Sequence, residues 1–347
     1  MSDSFDHLVY LRIFEGCNVS CQHCFIPANP KRMTHEQLMD VPNQVGKFAV
    51  PGQTILLQWH GGEPTLFGAQ WLREAIESIE ADSRFVWRHG IQTNLMTYDA
   101  QWASLYRDHF GGEVGVSYDP AIRSFKGSNE RYEEVFWRNL AKLIGDGLKP
   151  YMVITATKTL FESYPDAIFL YEQMADAGVR RLHLERVTPT GKARENWGQV
   201  GLSNAAYAQW MSRYLRAYVL WQRNNQDRLN VSPFDGLLLS AQAGGKAYGC
   251  WSDGCDTRFH TIDAGGYKPG CTAITAEIDN RRVKPESAIR IVDPRMARLL
   301  RQQDCGECDM RRICSSGCLS SPRFDESGEC AGPKRFLEVV QQCAKAS

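Results

Sequence analysis

The residues best able to do chemistry in this chain are its cysteines, and they are unevenly placed. Three lie within residues 17–24, none between 25 and 249, and nine between 250 and 343. A buried-core habit would scatter them, whereas two dense groups read as two metal-binding regions. The first group, Cys17-x3-Cys21-x2-Cys24, follows directly on the apolar run 8–14. Three thiolates on one loop suit a cubane [4Fe–4S] cluster whose fourth iron stays open to chelate a substrate or cosubstrate. The alternatives are a zinc site or core cysteines grouped by chance. The second group runs Cys250-x4-Cys255-x15-Cys271, then Cys305-x2-Cys308-x5-Cys314-x3-Cys318-x11-Cys330. Zinc ribbons also use C-x2-C knuckles, so zinc is the alternative here too. Cys343 is left over and reads as a C-terminal helix residue.

The elements that must position these thiols alternate. Apolar or β-branched runs at 8–14, 54–59, 85–92, 113–118, 151–157 and 180–187 read as strands. Amphipathic stretches near 68–81, 130–145 and 162–177 read as helices between them. About six β/α units over roughly 200 residues predict an α/β fold with a parallel sheet, curved or closed, and chemistry at the C-terminal strand ends. A long helix near 203–224 and a loop over 230–236 lead into a Gly- and Cys-rich segment. The domain boundary is expected there, giving units 1–235 and 236–347.

Bulk composition narrows the function. The 347 residues are 43% hydrophobic with 9 Trp, enough for a sizeable core. Forty basic and forty acidic residues cancel, which leaves no electrostatic footprint for nucleic acid or an anionic membrane. No apolar run approaches the ~20 residues of a membrane helix, and the polar, acidic start is unlike a secretory signal. Twelve cysteines in such a chain point to a metal protein of the reducing cytoplasm rather than to disulfides.

Taken with their surroundings, the motifs resemble the radical SAM superfamily. Its C-x3-C-x-aromatic-C signature is matched by residues 17–24, with His23 in the aromatic position. Gly61-Gly62-Glu63-Pro64 after the second strand matches its GGEP motif. Gln92-Thr93-Asn94 ends the third strand as in many relatives, and Ser117-Tyr118-Asp119 resembles its S-x-D segment. The resemblance implies that S-adenosylmethionine binds the open iron of Cys17, Cys21 and Cys24. It places His23, Gly61, Gly62, Glu63, Thr93, Asn94 and Ser117 around that cofactor, with Glu63 holding the methionine ammonium. Lys126 stands where relatives place an Arg for the methionine carboxylate. Residues 189–193 resemble a Pro-x-Gly-Arg-Ala stretch of one branch. The C-terminal group resembles the SPASM domain, so the whole chain is expected to be a partial (β/α)6 TIM-like barrel followed by a small Cys-rich SPASM domain.

Carried over by position, Cys250, Cys255, Cys271 and Cys318 hold a first auxiliary cluster, and Cys305, Cys308, Cys314 and Cys330 a second. That makes three [4Fe–4S] clusters. Cys250 stands outside the seven-Cys core of the pattern. The resemblance further implies reductive cleavage of S-adenosylmethionine to a 5′-deoxyadenosyl radical by an external one-electron reductant. Hydrogen abstraction from a ribosomally made peptide or protein would follow, forming a cross-link. The sulfatase-maturating branch carries an Asp after the third Cys of this region; Thr272 stands there, which disfavours formylglycine formation. The catalytic strand begins near residue 8, so a peptide substrate is expected to need a separate leader-binding partner or the barrel itself. The alternative is dehydrogenation, decarboxylation or epimerisation of a small molecule such as a sugar or antibiotic intermediate. A third reading is a non-catalytic electron carrier or metal-structured binding module. Candidates for the catalytic base or hydrogen donor are Asp119, His183 and Glu185, with Tyr248, Asp253 and Tyr267 on the SPASM side. His60 before the GGEP turn reads equally as a packing residue.

Overall fold

The computed structural model describes residues 5–26, 30–226, 228–246, 249–279 and 293–346; Tyr248 lies outside them. Among the described residues there are eleven strands: β1 (His7–Phe14), β2 (Val19–Cys21), β3 (Thr54–Gly61), β4 (Val86–Thr93), β5 (Glu113–Ser117), β6 (Arg123–Phe125), β7 (Lys149–Ala156), β8 (Arg181–Arg186), β9 (Asn230–Ser232), β10 (Phe259–Asp263) and β11 (Gly266–Pro269). Nine form one sheet in the order β11-β10-β1-β3-β4-β5-β7-β8-β9. Every pairing in it is parallel except the β10–β11 hairpin. The six central strands are those expected from sequence.

Period-two alternation explains how this sheet serves two faces. On β3, Ile55, Leu57 and Trp59 are fully buried in the hydrophobic core, while Leu56, Gln58 and His60 line an interior chamber. The outer helices start where side chains cap them: Asp99, Ser128, Thr157 and Ser203 accept from Gln101, Arg131, Leu160 and Ala206 amides at 2.9–3.1 Å. Each such cap contributes about 1 kcal/mol. The helix expected over 162–177 is two, Lys158–Ser163 and Ala167–Asp176. Pro165 between them lacks an amide donor and breaks the ladder.

The C-terminal region departs from a separate appendage. β10 pairs in parallel with β1, and Arg12, only 1% exposed, forms an ion pair with Asp263 at its end. β9 extends the opposite edge, where a loop was expected. The boundary expected at 235/236 falls inside the helix Phe234–Ala243. That helix packs beside the C-terminal helix Lys334–Ala346, which carries Cys343 against the core.

Candidate active site and metal centres

The Cys17–Cys24 loop is held from three sides. β2 and β6 form a separate antiparallel ribbon whose register sets Cys21 opposite Arg123. The Arg123 guanidinium lies 3.4 Å from Cys21 Sγ and donates to Asp119 Oδ2 through Nε and Nη2 at 2.7 and 2.6 Å. Asn94 Nδ2 reaches Cys17 Sγ at 3.5 Å and Asn18 Oδ1 at 2.7 Å. The segment 189–193 closes the third side, with the Lys192 amide donating to the Cys24 carbonyl at 2.8 Å. Gly191 (φ +54°) is required there, since a Cβ would stand 2.5 Å from that carbonyl oxygen.

The GGEP turn is equally tight. A Cβ on Gly61 would meet Phe14 O at 2.1 Å and one on Gly62 would meet Gly16 O at 2.2 Å, so only glycines let this turn lie against the Cys loop. Glu63 is 1% exposed. Its carboxylate accepts from Thr65 N and Oγ1, Thr93 Oγ1 and Asn94 N at 2.7–3.1 Å. Glu63 therefore staples the turn to the end of β4; the ammonium role expected of it would have to share a carboxylate already bound by four donors. Ser117 Oγ accepts from Gln92 Nε2 at 2.7 Å.

Asp119 and Lys126 each have a partner. Asp119 is not a free base: besides Arg123, it accepts from the Thr155 amide at 2.5 Å and lies 3.3 Å from His23 Nε2. Burial holds His23 mostly neutral, with its pKa down at about 4. Lys126 is exposed at the edge of the chamber that holds the triad, with its ammonium over the Phe125 ring, 5.4 Å from the centroid. The cation that meets the thiols is Arg123, which sequence reasoning missed because the three-residue strand carrying it has no pattern of its own.

One continuous chamber of about 1960 Å³ fills the barrel. Gly90 and Gly115 keep its wall open, since a Cβ at either would collide with Gln58 or Gln92. Cys17, Cys21 and Cys24 line one part; Cys250, Cys255, Cys271 and Cys318 line another. His183, Glu185, Tyr151 and Tyr10 also face it. Glu185 Oε2 lies 2.9 Å from His183 Nε2, and His183 Nδ1 lies 2.9 Å from Ser232 Oγ. Burial pushes the Glu185 carboxyl up, but the hydrogen bond and charge of His183 outweigh it and hold the group below its ordinary value.

The two later thiol sets also assemble. Cys250 contacts both Cys255 and Cys318, and Cys255 contacts Cys271. Cys250 thus belongs with this group in space. Cys305, Cys308, Cys314 and Cys330 line a second, small cavity, where Gly332 lets the chain pass Cys314 Sγ. The helix Pro294–Gln303 braces both sets from outside. It buries Arg298 and Arg301 while exposing Met296, Leu299 and Leu300. Arg298 pairs with Asp256 at 2.9 Å and donates to the Ser315 and Gly317 carbonyls. Arg301 donates to the carbonyls of Cys318, Leu319 and Ser321 at 2.7–2.9 Å. Asp253, at the N-terminus of the short helix Gly254–Thr257, makes no side-chain cap, and Tyr267 on β11 stacks on Phe48.

No family model matches the chain. It is 21% identical to the serine-type anaerobic sulfatase-maturating enzyme of Klebsiella aerogenes, over 96% of this chain and 85% of that one. Among solved structures, native anSMEcpe with bound AdoMet and Cp18Cys peptide superposes with a TM-score of 0.71 at 18% identity, covering 97% of this chain and 95% of that one. Streptococcus suis SuiB bound to precursor peptide SuiA gives 0.58 at 15%, covering 91% and 72%. At these identities the likeness shows the fold: an α/β chain with a large, mostly parallel sheet and a Cys-rich C-terminal region.

The donor sets fit the groups that a radical SAM/SPASM fold implies. Burial pushes the Cys21 thiol up to about 12; a desolvated thiol ionises only with a strong positive partner, which iron provides. Around the first four-Cys set, Trp251 Nε1, Tyr207 Oη, Arg298 Nη2 and Ser320 Oγ are buried polar atoms without a hydrogen-bond partner. All can donate, and an anionic, sulfide-bearing cluster would accept. Among the described residues no three of His, Cys, Asp and Glu converge to grip a single ion. A cubane instead spreads its ligands over separate irons.

Proposed function

We propose that this protein is a radical S-adenosylmethionine enzyme that modifies a ribosomally made peptide, forming a cross-link. The observation that carries this reading is the single chamber joining the Cys17–Cys21–Cys24 triad to the first auxiliary thiol set. At about 1960 Å³ it exceeds the ~300–1,000 Å³ of common small-molecule sites and has room for a peptide segment beside a cofactor. Relatives of the same fold support it, since anSMEcpe and SuiB are each known with a bound peptide.

A [4Fe–4S] cluster on the triad, with S-adenosylmethionine bound, supplies a 5′-deoxyadenosyl radical for hydrogen abstraction. The chain's own residues do the rest. Arg123 and Asn94 orient the thiols of Cys21 and Cys17, and Gly61, Gly62, Thr93 and Ser117 shape the cofactor cradle. Glu185, ionised and open to the chamber, receives the proton that substrate loses, and His183 shares it with Ser232. The two later thiol sets hold auxiliary clusters, bringing the total to three. An external one-electron reductant and the reducing cytoplasm suit these oxygen-sensitive groups; among the described residues no helix is long and apolar enough to cross a membrane.

The sulfatase-maturating relatives favour a second reading, oxidation of Ser or Cys to formylglycine. Thr272 weighs against it, because that buried position offers the chamber no carboxylate. Anaerobic incubation with S-adenosylmethionine, dithionite and candidate peptides, followed by mass spectrometry, tests the proposal. A loss of two hydrogens per new bond with deoxyadenosine release is expected. Modification of small molecules alone would refute it.

A further inference from the structure

Buried cations normally have acidic partners, because an unpaired charge out of water is costly. Arg186 and Arg301 break this habit. They are 8% and 9% exposed, and neither has a carboxylate partner among the described residues. Arg186 donates to the Ala331 carbonyl and to Asn204 Oδ1, both at 2.5 Å, with its guanidinium 4.5 Å from the Tyr207 ring centroid. Arg301 is spent on the carbonyls of Cys318, Leu319 and Ser321. What both approach is the first auxiliary thiol set, through Cys318.

We infer that Arg186 and Arg301 are the counter-ions of the first auxiliary cluster and raise its reduction potential above that of the second. The inference rests on the assignment of Cys250, Cys255, Cys271 and Cys318 as ligands of one cluster. Four thiolates leave such a cluster net negative, and each one-electron reduction adds a further negative charge. Fixed positive charge in a water-poor setting therefore favours the reduced form, and net charge and solvent exposure are among the terms that set these potentials.

The two thiol sets differ in this respect. Arg298 is a third guanidinium beside the first set, but Asp256 offsets its charge. Glu185, on the chamber side, works against the two arginines. Around the second set the cations are Lys246 and Arg311, both exposed, Lys334, which pairs with Asp309 at 3.0 Å, and Arg323, half-exposed and paired with Asp304; Arg301 also lines that cavity, but its guanidinium is held on the carbonyls of the Cys318 loop. Solvent screens charges placed that way. Arg186 and Arg301 thus mark the first set as the better electron acceptor, next to Glu185 on the chamber wall.

The test uses full-length protein with Cys17, Cys21 and Cys24 changed to Ala, so that only the auxiliary clusters respond. Potentiometric titration followed by EPR should give two midpoints. Arg186→Met and Arg301→Met should each move the higher one to more negative potential and leave the lower one in place. Arg186→Lys and Arg301→Lys, which keep the charge, should shift it less. Loss of one cluster's iron in the Met variants, but not in the Lys variants, also supports a counter-ion role. Unmoved midpoints with full iron content would overturn the inference, as would equal iron loss in the Met and Lys variants, which marks a purely structural carbonyl clamp. Fewer than about eight iron in the parent would instead show that the cluster assignment itself is wrong.

Discussion

Arg123 binds Asp119 and Cys21 at once, with a two-point hold on the carboxylate at 2.6 and 2.7 Å and a 3.4 Å approach to the sulfur. A single guanidinium thus couples the end of β5 to the cluster loop. Arg123→Met should leave Asp119 buried and unpaired, at a cost of about 3–5 kcal/mol, and should remove the positive charge that favours a Cys21 thiolate. Iron at the triad and deoxyadenosine formation should fall together, while the auxiliary clusters persist. Iron analysis and absorption spectra check this, and retention of the triad's iron would deny Arg123 a role there.

His183 holds Glu185 ionised through their 2.9 Å contact. Because this contact lowers the Glu185 pKa, its removal in His183→Ala lets the pKa rise. The acid limb of the product-formation profile should then move to higher pH. Glu185→Gln should cut product by about 10²-fold or more while deoxyadenosine is still released. Equal loss of both products would place Glu185 in cofactor binding instead.

The barrel and C-terminal region are joined through the buried Arg12–Asp263 pair, with Lys268 2.7 Å from the same carboxylate. Burial pushes Asp263 up, but the two cations prevail and hold its pKa below the ordinary value. Its stabilisation is present above the unfolded pKa and is lost as pH falls through the lowered folded one. Asp263→Asn should cost about 3–5 kcal/mol in denaturant melts at neutral pH. That deficit should narrow in acid.

Gly191→Ala places a Cβ 2.5 Å from Cys24 O at a φ of +54°. Strain of about 1–3 kcal/mol at that residue should loosen the Cys loop and lower iron retention at the triad. Gly198→Ala, with open space around its Cβ, is the matched control. Chelator challenge followed by iron assay compares them.

Reconstituted wild-type protein should hold about twelve iron with matching sulfide, as one open and two closed cubanes require. Cys250→Ala should leave the first auxiliary cluster with an open iron, labile to chelator and shifted by added thiol. Stoichiometric zinc, or an unchanged cluster spectrum in the variant, would contradict this.

The sequence alone determined the features that depend on local pattern. The six central strands follow from apolar and β-branched runs, and the thiol triad from its spacing beside a strand end. The glycines of the GGEP motif are legible because only glycine tolerates that approach of backbone to backbone. What tertiary structure decided depends on long-range pairing or on which face is buried. Arg123 faces Cys21 through a three-residue ribbon 102 positions away in sequence, too short to carry periodicity. β10 joins β1 across some 250 residues, and turns an expected appendage into an extension of the sheet. The helix Pro294–Gln303 inverts the usual rule, burying Arg298 and Arg301 and exposing its leucines. Hydrophobic patterning would place that helix the other way round; the carbonyls of the cysteine loop, which need donors wherever water is excluded, fix its orientation.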